Sequence, residues 1–217
     1  MPGAPQVPDP PWRFGDSLPL HLERSTWPDA PPPRPKVAVY GDSYAGNELG
    51  RSPAGWPALL ADALGVETVN QAVSGSGYVK VGHGATWPYL ATIAPVPDAA
   101  AVVVMGSQND RAQDPTAIHL GMVVTLAAIT RGCPHARVLV VGPYWPWDDE
   151  PSAGAVAARD AVRDTAAEHG LAFLDPLAEQ WLGSAPGLIG SDGAHPSPAG
   201  HAVIAGRLAP HLAALLS

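Results

Sequence analysis

Three side chains of types used in nucleophilic catalysis stand where predicted structural elements end or begin. Ser43 follows the apolar alternating segment 36–40, and Asp192 and His195 lie together just before a predicted last helix. A serine hydroxyl attacks a carbonyl carbon only when a base takes its proton and a third group orients that base. Ser43 is therefore the predicted nucleophile, His195 the base, and Asp192 the group that holds the imidazole in the required tautomer. The alternative is that Asp192 and His195 only cap the last helix.

Acyl transfer also requires hydrogen-bond donors for the oxyanion that forms when the serine attacks. The sequence offers three candidates, which are the backbone N–H of Ser43, the backbone N–H of Gly75 and the side-chain amide of Asn109. Gly75 lies in the Gly-rich stretch 72–77, and Asn109 lies in the polar stretch 106–110. Each stretch follows a predicted strand, so the donors are expected to meet Ser43 if these strands end at one edge of a sheet.

Apolar periodicity and stop signals predict strands that alternate with helices. The predicted strands are residues 36–40, 66–70, 99–105, 137–141 and 171–174, and the predicted helices are residues 56–64, 115–130, 152–169 and 198–216. Gly65, Gly132 and Gly170 are expected just beyond the ends of the first three helices. Ser43 is also expected at the amino end of a helix, where backbone N–H groups favour negative charge.

This order of elements predicts an α/β domain with a mostly parallel sheet, covered on both faces and joined by right-handed crossovers. Ligands of such sheets bind outside the carboxyl ends of the strands. The loops that carry Ser43, Gly75 and Asn109 should therefore converge with the aromatic loop 142–147 and with the loop of Asp192 and His195.

The same residues resemble the motif blocks of the SGNH hydrolases, also called the GDSL esterase and lipase family. The matching blocks are Gly41-Asp42-Ser43, Ser74-Gly75, Gly106 to Asp110, and Asp192-Gly193-Ala194-His195-Pro196. Two departures are Tyr44, where leucine is often found, and Gln108, which is one extra residue in the third block. The resemblance covers Val37 to about Ile204.

The resemblance implies a three-layer α/β/α, flavodoxin-like fold with a central five-stranded parallel sheet. It also implies a serine esterase mechanism with no metal or organic cofactor, carried out by Ser43, Asp192 and His195, with Ser43, Gly75 and Asn109 forming the oxyanion hole. Candidates to line the substrate pocket are Asp42, Tyr44, Trp87, Tyr144 and Trp145, although aromatic side chains also fill packing gaps. A metal pair of His195 and His201 is a weaker alternative, because no carboxylate or cysteine cluster completes it.

Composition excludes two classes of partner. The 217 residues carry a formal net charge of −8, with 12 Lys and Arg against 20 Asp and Glu, which predicts no nucleic-acid partner. No segment is apolar enough over a sufficient length to predict an integral membrane segment. Cys133 is the only cysteine, so cysteine usage leaves the compartment open, and the oligomeric state is open as well.

The first 35 residues hold eleven of the 26 prolines and lack the basic and then apolar order of a signal peptide. Proline-rich composition resists helix and central strand. We therefore expect an extended arm over residues 1–35, pinned by Trp12, Phe14 and Trp27, followed by the hydrolase domain over residues 36–217. A disordered linker, or a remnant left by removal of a signal, is the alternative.

The leading functional hypothesis is an esterase for a small-molecule or carbohydrate ester with a short acyl group, such as an O-acetyl group on carbohydrate. The alternative within the enzyme class is a lipase or thioesterase for longer acyl chains. The aromatic loop with Tyr144, Trp145 and Trp147 suits either substrate, because an indole or phenol ring stacks on a sugar and also packs on an acyl chain. A non-catalytic binding module is the third hypothesis.

Overall fold

A computed structural model describes residues 32–46, 55–147, 150–183 and 185–217. The described strands and helices belong to a compact unit that spans Arg34–Ser217. The expected Pro-rich arm, with Trp12, Phe14 and Trp27, lies outside the described residues except for residues 32–35.

The described strands form one parallel sheet. They are β1 (Lys36–Gly41), β2 (Glu67–Asn70), β3 (Ala99–Met105), β4 (Arg137–Val141) and β5 (Ala172–Leu174). Their order across the sheet is β2-β1-β3-β4-β5, and every neighbouring pair is parallel. The predicted five-stranded parallel sheet is confirmed, and β1 and β3 bring their carboxyl ends side by side near its centre.

Five α-helices connect and cover the strands in the described part of the chain. They are α1 (Trp56–Leu64), α2 (Trp87–Ile93), α3 (Pro115–Gly132), α4 (Ala153–Glu168) and α5 (Pro198–Leu216). A 3₁₀ helix at Gln108–Asp110 follows β3. Within the described ranges, no helix combines the length and apolar character needed to cross a bilayer.

Alternate residues of the central strands face two separate apolar cores. On β1, Ala38 and Tyr40 belong to the core beneath α2, α3 and α4, whereas Val37 and Val39 belong to the core beneath α1 and α5. Because β1 and β3 are buried on both faces, they read as nearly continuous apolar runs. The result is the expected three-layer α/β/α arrangement.

Two predicted boundaries need correction at α3 and α4. Gly132 was expected beyond the end of α3, but it lies inside the helix, and Cys133 is the cap residue. A Cβ at position 132 would lie 2.6 Å from the Cβ of Pro95, so glycine is required there by a close contact. At α4, Ser152 is the N-cap, and its hydroxyl accepts the Ala155 N–H at 3.2 Å.

The helix α2 has no counterpart among the helices predicted from the sequence. This helix has only seven residues, begins with Trp87-Pro88, and leaves Tyr89 and Ile93 exposed at 52% and 56%. A helix of two turns with apolar residues on its solvent side gives no clear amphipathic period. It forms because Trp87, Leu90 and Ala91 pack into the core, which is tertiary information.

Candidate active site

Ser43 lies on a tight turn that follows β1 directly. The N–H groups of Ala45 and Gly46 donate to the Asp42 carbonyl at 3.0 and 2.9 Å, and the Tyr44 N–H donates to the Asp42 side chain at 3.0 Å. The turn leaves Ser43 9% exposed, at the carboxyl edge of the sheet. A helix directly after Ser43 was expected, but residues 42–46 form a turn, and the remainder of that expectation falls on residues 47–54, outside the described ranges.

His195 meets Ser43 from a loop that precedes α5. Its Nε2 lies 2.9 Å from the Ser43 Oγ, and its Nδ1 lies 2.9 Å from the Asp192 Oδ2. The two contacts use opposite nitrogens of one ring. The imidazole can therefore accept the serine proton at Nε2 while it donates its Nδ1–H to the carboxylate, which is the geometry that nucleophile activation needs.

Asp192 is held as a carboxylate by its own loop. Its Oδ1 accepts the N–H groups of Ala194 and His195, each at 3.0 Å. These two backbone donors, together with the hydrogen bond to the imidazole, lower the pKa of Asp192 to about 2. The group is therefore ionised throughout the neutral range, so it can orient the imidazole and stabilise the imidazolium without taking a proton itself.

Asn109 lies between the loops that follow β1 and β2. Its Nδ2 donates to the Asp42 Oδ2 at 3.1 Å and to the Ser76 carbonyl at 3.0 Å. The extra residue Gln108 therefore leaves Asn109 next to the first two motif blocks. The amide has two hydrogens, and both already have acceptors. An oxyanion formed at Ser43 would therefore have to share one of these hydrogens with Asp42 or with the Ser76 carbonyl.

The Gly75 loop needs glycine for conformation and for space. Gly75 has a φ of 68°, which favours glycine, and a Cβ at Gly82 would lie 2.2 Å from the Gly75 carbonyl carbon. This packing turns residues 74–77 toward the edge where Ser43 and Asn109 lie. Through Asn109, the structure joins the Gly75 loop to the turn that carries Ser43, where His195 also lies.

Asp110 is a further support that the sequence analysis did not identify. This fully buried carboxylate accepts the N–H groups of Tyr78, Val79 and Lys80 at 2.7, 3.2 and 2.8 Å. It thereby fixes the segment that follows Gly75. The available signal was an acidic residue at the same sheet edge as a Gly-rich loop, whose backbone donors need acceptors when they are buried.

The expectation that the five pocket candidates line a substrate cleft is corrected for four of them. Asp42, Tyr44, Trp87 and Tyr144 are 0 to 6% exposed. Trp87 lies against Gly106 and donates its Nε1–H to the Ser76 Oγ at 2.9 Å, and Tyr144 stacks on Tyr44. The three aromatic rings support the site from beneath because they fill the space between the loops and the sheet, and the Asp42 carboxyl group accepts a hydrogen bond from Asn109.

Trp145 and Trp147 are the aromatic residues of this loop that reach toward solvent. Their rings meet edge to face with centroids 4.7 Å apart, and Trp147 is 37% exposed. From the sequence, Trp147 is as able to line a substrate pocket as to fill a packing gap, as are Trp87, Tyr89, Tyr144 and Trp145. Its exposed indole is the better candidate for a contact with substrate.

His201 is engaged in packing. It is buried in α5, and its Nδ1 accepts the Trp56 N–H at 3.3 Å. Burial lowers the pKa of its imidazole. Across the described residues, no three His, Cys, Asp or Glu side chains are grouped so that they could hold a metal ion.

Asp42 is a buried carboxyl group whose protonation should affect stability. Burial raises its pKa to about 7, and the charge of Asp110 adds to this rise. Between about pH 4 and pH 7 the folded chain then binds a proton that the unfolded chain has lost. The contribution of this proton to the free energy of unfolding is largest below the pKa that Asp42 has in the unfolded chain. The contribution is lost as the pH rises through the pKa that Asp42 has in the folded chain.

We expect Asp42→Asn to remove this pH dependence. The Tm of the parent minus that of the variant should be largest at about pH 4 and below, and should fall by roughly 5 °C or more by pH 8. Thermal unfolding at several pH values measures it, with Asp62→Asn, an exposed carboxylate of α1, as the control for general charge effects. A difference that stays constant with pH would mean that Asp42 remains ionised over the whole range.

Comparisons with known proteins agree with this architecture. A family model described as the GDSL-like Lipase/Acylhydrolase family matches residues 39–203. A GDSL lipase from Mycobacterium tuberculosis is 35% identical in an alignment of 185 residues, and the match covers 80% of this chain and 80% of that protein.

Solved structures give the same picture. TesA aligns with a TM-score of 0.67 and 25% identity, over 83% of this chain and 99% of its own. A family two carbohydrate esterase from Clostridium thermocellum, solved in complex with cellohexaose, aligns with a TM-score of 0.65 and 21% identity, over 84% of this chain and 65% of its own. At 21% identity, the similarity to the carbohydrate esterase is a similarity of fold alone.

Proposed function

The chain belongs to the GDSL-like lipase/acylhydrolase family and is an ester hydrolase, and from this premise we propose that it cleaves short-acyl carboxylic esters through an acyl-enzyme on Ser43. The observation that carries the proposal is the continuous contact from the Ser43 Oγ through both nitrogens of His195 to Asp192, at 2.9 Å for each step. The non-catalytic hypothesis finds no support in this family.

In the first half of the reaction, the Ser43 Oγ attacks the acyl carbon while its proton passes to the His195 Nε2. The carbonyl π electrons move onto oxygen, and the oxyanion is held by the N–H groups of Ser43 and Gly75 and by the Asn109 amide. The intermediate then collapses and breaks the bond to the alcohol oxygen, which takes the proton from His195. Asp192 stays ionised and stabilises the imidazolium.

In the second half, water replaces the alcohol. His195 takes a proton from the water as its oxygen attacks the acyl carbon of the acyl-enzyme, and the second oxyanion uses the same donors. Collapse breaks the bond to the Ser43 Oγ, which recovers its proton from His195. The products are one carboxylic acid and one alcohol, and no cofactor takes part.

The preference for a short acyl group rests on the shallow position of the catalytic residues. The side chains of His195 and Asp192 are 32% and 29% exposed, which suits a small acyl group on a polar carrier better than a long chain that must be buried. The exposed indole of Trp147 offers a face for a sugar ring. A carbohydrate ester is therefore the proposed substrate class, and a carbohydrate esterase is among the proteins of similar fold.

The second candidate is a lipase or thioesterase for longer acyl chains. The observation in its favour is that the mycobacterial protein, with 35% identity, is named a GDSL lipase. The two candidates share the chemistry at Ser43 and differ only in what binds the acyl chain, so a substrate series separates them.

We expect kcat/KM to be highest for acetyl esters and to fall for acyl chains of about eight carbons or more, because the catalytic groups lie near the surface. A p-nitrophenyl ester series from two to twelve carbons, measured below the critical micelle concentration of each ester, tests this. Ser43→Ala, run on the same series, gives the background. A steady rise of kcat/KM with chain length would favour the lipase.

The carbohydrate part of the proposal has its own test. Trp147→Ala should raise KM for an acetylated oligosaccharide severalfold and leave KM for p-nitrophenyl acetate unchanged, since only the first substrate carries a sugar. Equal effects on the two substrates would contradict a sugar contact at Trp147.

A further inference from the structure

Three consecutive residues of the nucleophile turn reach three different parts of the site. Asp42 accepts a hydrogen bond from Asn109, and Ser43 contacts the His195 ring. Tyr44 donates its hydroxyl to the Ala194 carbonyl at 2.7 Å, across 150 positions of the chain. Leucine, which the family motif often has at position 44, has no hydroxyl and could not make this last contact.

Packing restricts the orientation of the Tyr44 ring and therefore the direction in which its hydroxyl group points. It is 6% exposed and stacks on Tyr144, with centroids 5.3 Å apart and planes 4° from parallel. The Tyr44 ring also meets the His195 ring, with centroids 5.8 Å apart and planes at 47°. Burial also raises the pKa of the Tyr44 hydroxyl, which therefore keeps the proton that it donates.

The loop that carries His195 is well tied to itself. Asp192 accepts the N–H groups of Ala194 and His195, and the Gly190 N–H donates to the His195 carbonyl at 2.8 Å. These hydrogen bonds all lie within residues 190–195, so they determine the shape of the loop. They do not determine the gap between the loop and the turn that follows β1. The Ser43 to His195 contact does cross that gap, but it is rearranged in each catalytic step, whereas the Tyr44 to Ala194 bond takes no part in the chemistry.

We propose that Tyr44 is a positioning residue, which fixes the loop of Asp192 and His195 against the nucleophile turn and so keeps the His195 Nε2 within reach of the Ser43 Oγ. This inference rests on the proposed serine mechanism. The Ala194 carbonyl is part-buried, and a carbonyl that loses its donor there carries a cost in free energy, which the loop can relieve by moving toward solvent. A displacement well below 1 Å is enough to lower the rate of proton transfer.

Tyr44→Phe tests the proposal, because it removes only the hydroxyl and keeps the ring. The matched control is Tyr40→Phe, which removes a hydroxyl that also donates to a backbone carbonyl, that of Ala94 at 2.9 Å, in the core beneath α2. We expect Tyr44→Phe to lower kcat for p-nitrophenyl acetate by about tenfold with KM within twofold of the parent. The control should keep kcat within twofold, whatever its Tm.

A spectroscopic measurement separates positioning from general destabilisation. The Nδ1–H that His195 donates to Asp192 should give a low-field proton resonance, and Tyr44→Phe should broaden it or speed its exchange with water, measured well below the Tm. The reaction of Ser43 with a phosphonofluoridate, counted per titrated active site, should slow by the same factor as kcat. This count makes the comparison independent of the folded fraction.

Three results would overturn the proposal. They are an unchanged kcat in Tyr44→Phe, an equal loss in Tyr40→Phe, and a rise in KM at constant kcat, which would make the Tyr44 hydroxyl a substrate contact. If the serine mechanism itself is wrong, Ser43→Ala will retain activity, and this result is distinguishable from the three above. With an inactive Ser43→Ala and a parent-like Tyr44→Phe, only the role of Tyr44 is refuted.

Discussion

Ser43→Ala is expected to lower kcat by about 10⁴-fold or more while the fold persists. The Ser43 Oγ lies 2.9 Å from the His195 Nε2, and no acyl-enzyme can form without it. His195→Ala should have an effect of the same order, since an unactivated serine hydroxyl is a weak nucleophile. The double variant should lose little more than either single variant, because the two groups act as one unit. Steady-state kinetics on the three variants measures this.

A serine that only stabilises structure provides the control. Ser152 caps α4 through the Ala155 N–H, so Ser152→Ala should cost about 1 kcal/mol of stability and leave kcat per folded molecule unchanged. Circular dichroism and the Tm should show that Ser43→Ala is folded. Substantial activity in a folded Ser43→Ala, above that of a mock preparation, would contradict the serine mechanism.

The second large effect is expected at Asn109. If its amide donates to the oxyanion, Asn109→Ala should lower kcat by roughly 10² to 10³, or about 2.7 to 4 kcal/mol. KM should change little, because the carbonyl oxygen acquires its charge only as Ser43 attacks. In the resting structure the amide hydrogens go to Asp42 and to the Ser76 carbonyl, so the variant also removes a structural tie.

Asn70 allows the two roles to be separated. Its side chain donates to the Ala45 carbonyl at 2.7 Å and accepts the Ala72 N–H at 3.0 Å, which joins the same two loops without a proposed role in the oxyanion hole. Asn70→Ala should lower the Tm as Asn109→Ala does, but it should lower kcat far less. A kcat for Asn109→Ala within threefold of the parent would mean that the Ser43 and Gly75 amides hold the oxyanion with some other donor.

The sequence predicted the parts of the fold that local patterns determine. The bounds of β3, β4, α1 and α5 agree with the structure, because continuous β-branched runs and helix-stopping residues act over a few positions. The family resemblance is confirmed as well. The resemblance rested on four short motif blocks that occur in the family's order along the chain. Ser43 lies in the first of these blocks and His195 in the last.

The features that the sequence did not predict depend on contacts between distant residues. Trp87 was a pocket candidate, but its burial under Gly106 follows from α2, whose pattern is too short to detect. The Asp110 carboxylate binds three backbone N–H groups of another loop. The Tyr44 hydroxyl likewise binds the Ala194 carbonyl of a distant loop. Neither side chain differs in type from a surface residue, so only the folded arrangement reveals its role.

The most direct test of the account is to locate the covalent intermediate. The full chain would be treated with a phosphonofluoridate ester probe, digested with trypsin and analysed by mass spectrometry, with Ser43→Ala in parallel. Cleavage after Lys36 and Arg51 gives a peptide of residues 37–51 that contains Ser43. The account predicts one adduct per chain, on Ser43, formed at the rate at which activity is lost and absent from Ser43→Ala. Loss of activity with the adduct on another residue, or without an adduct, would contradict it.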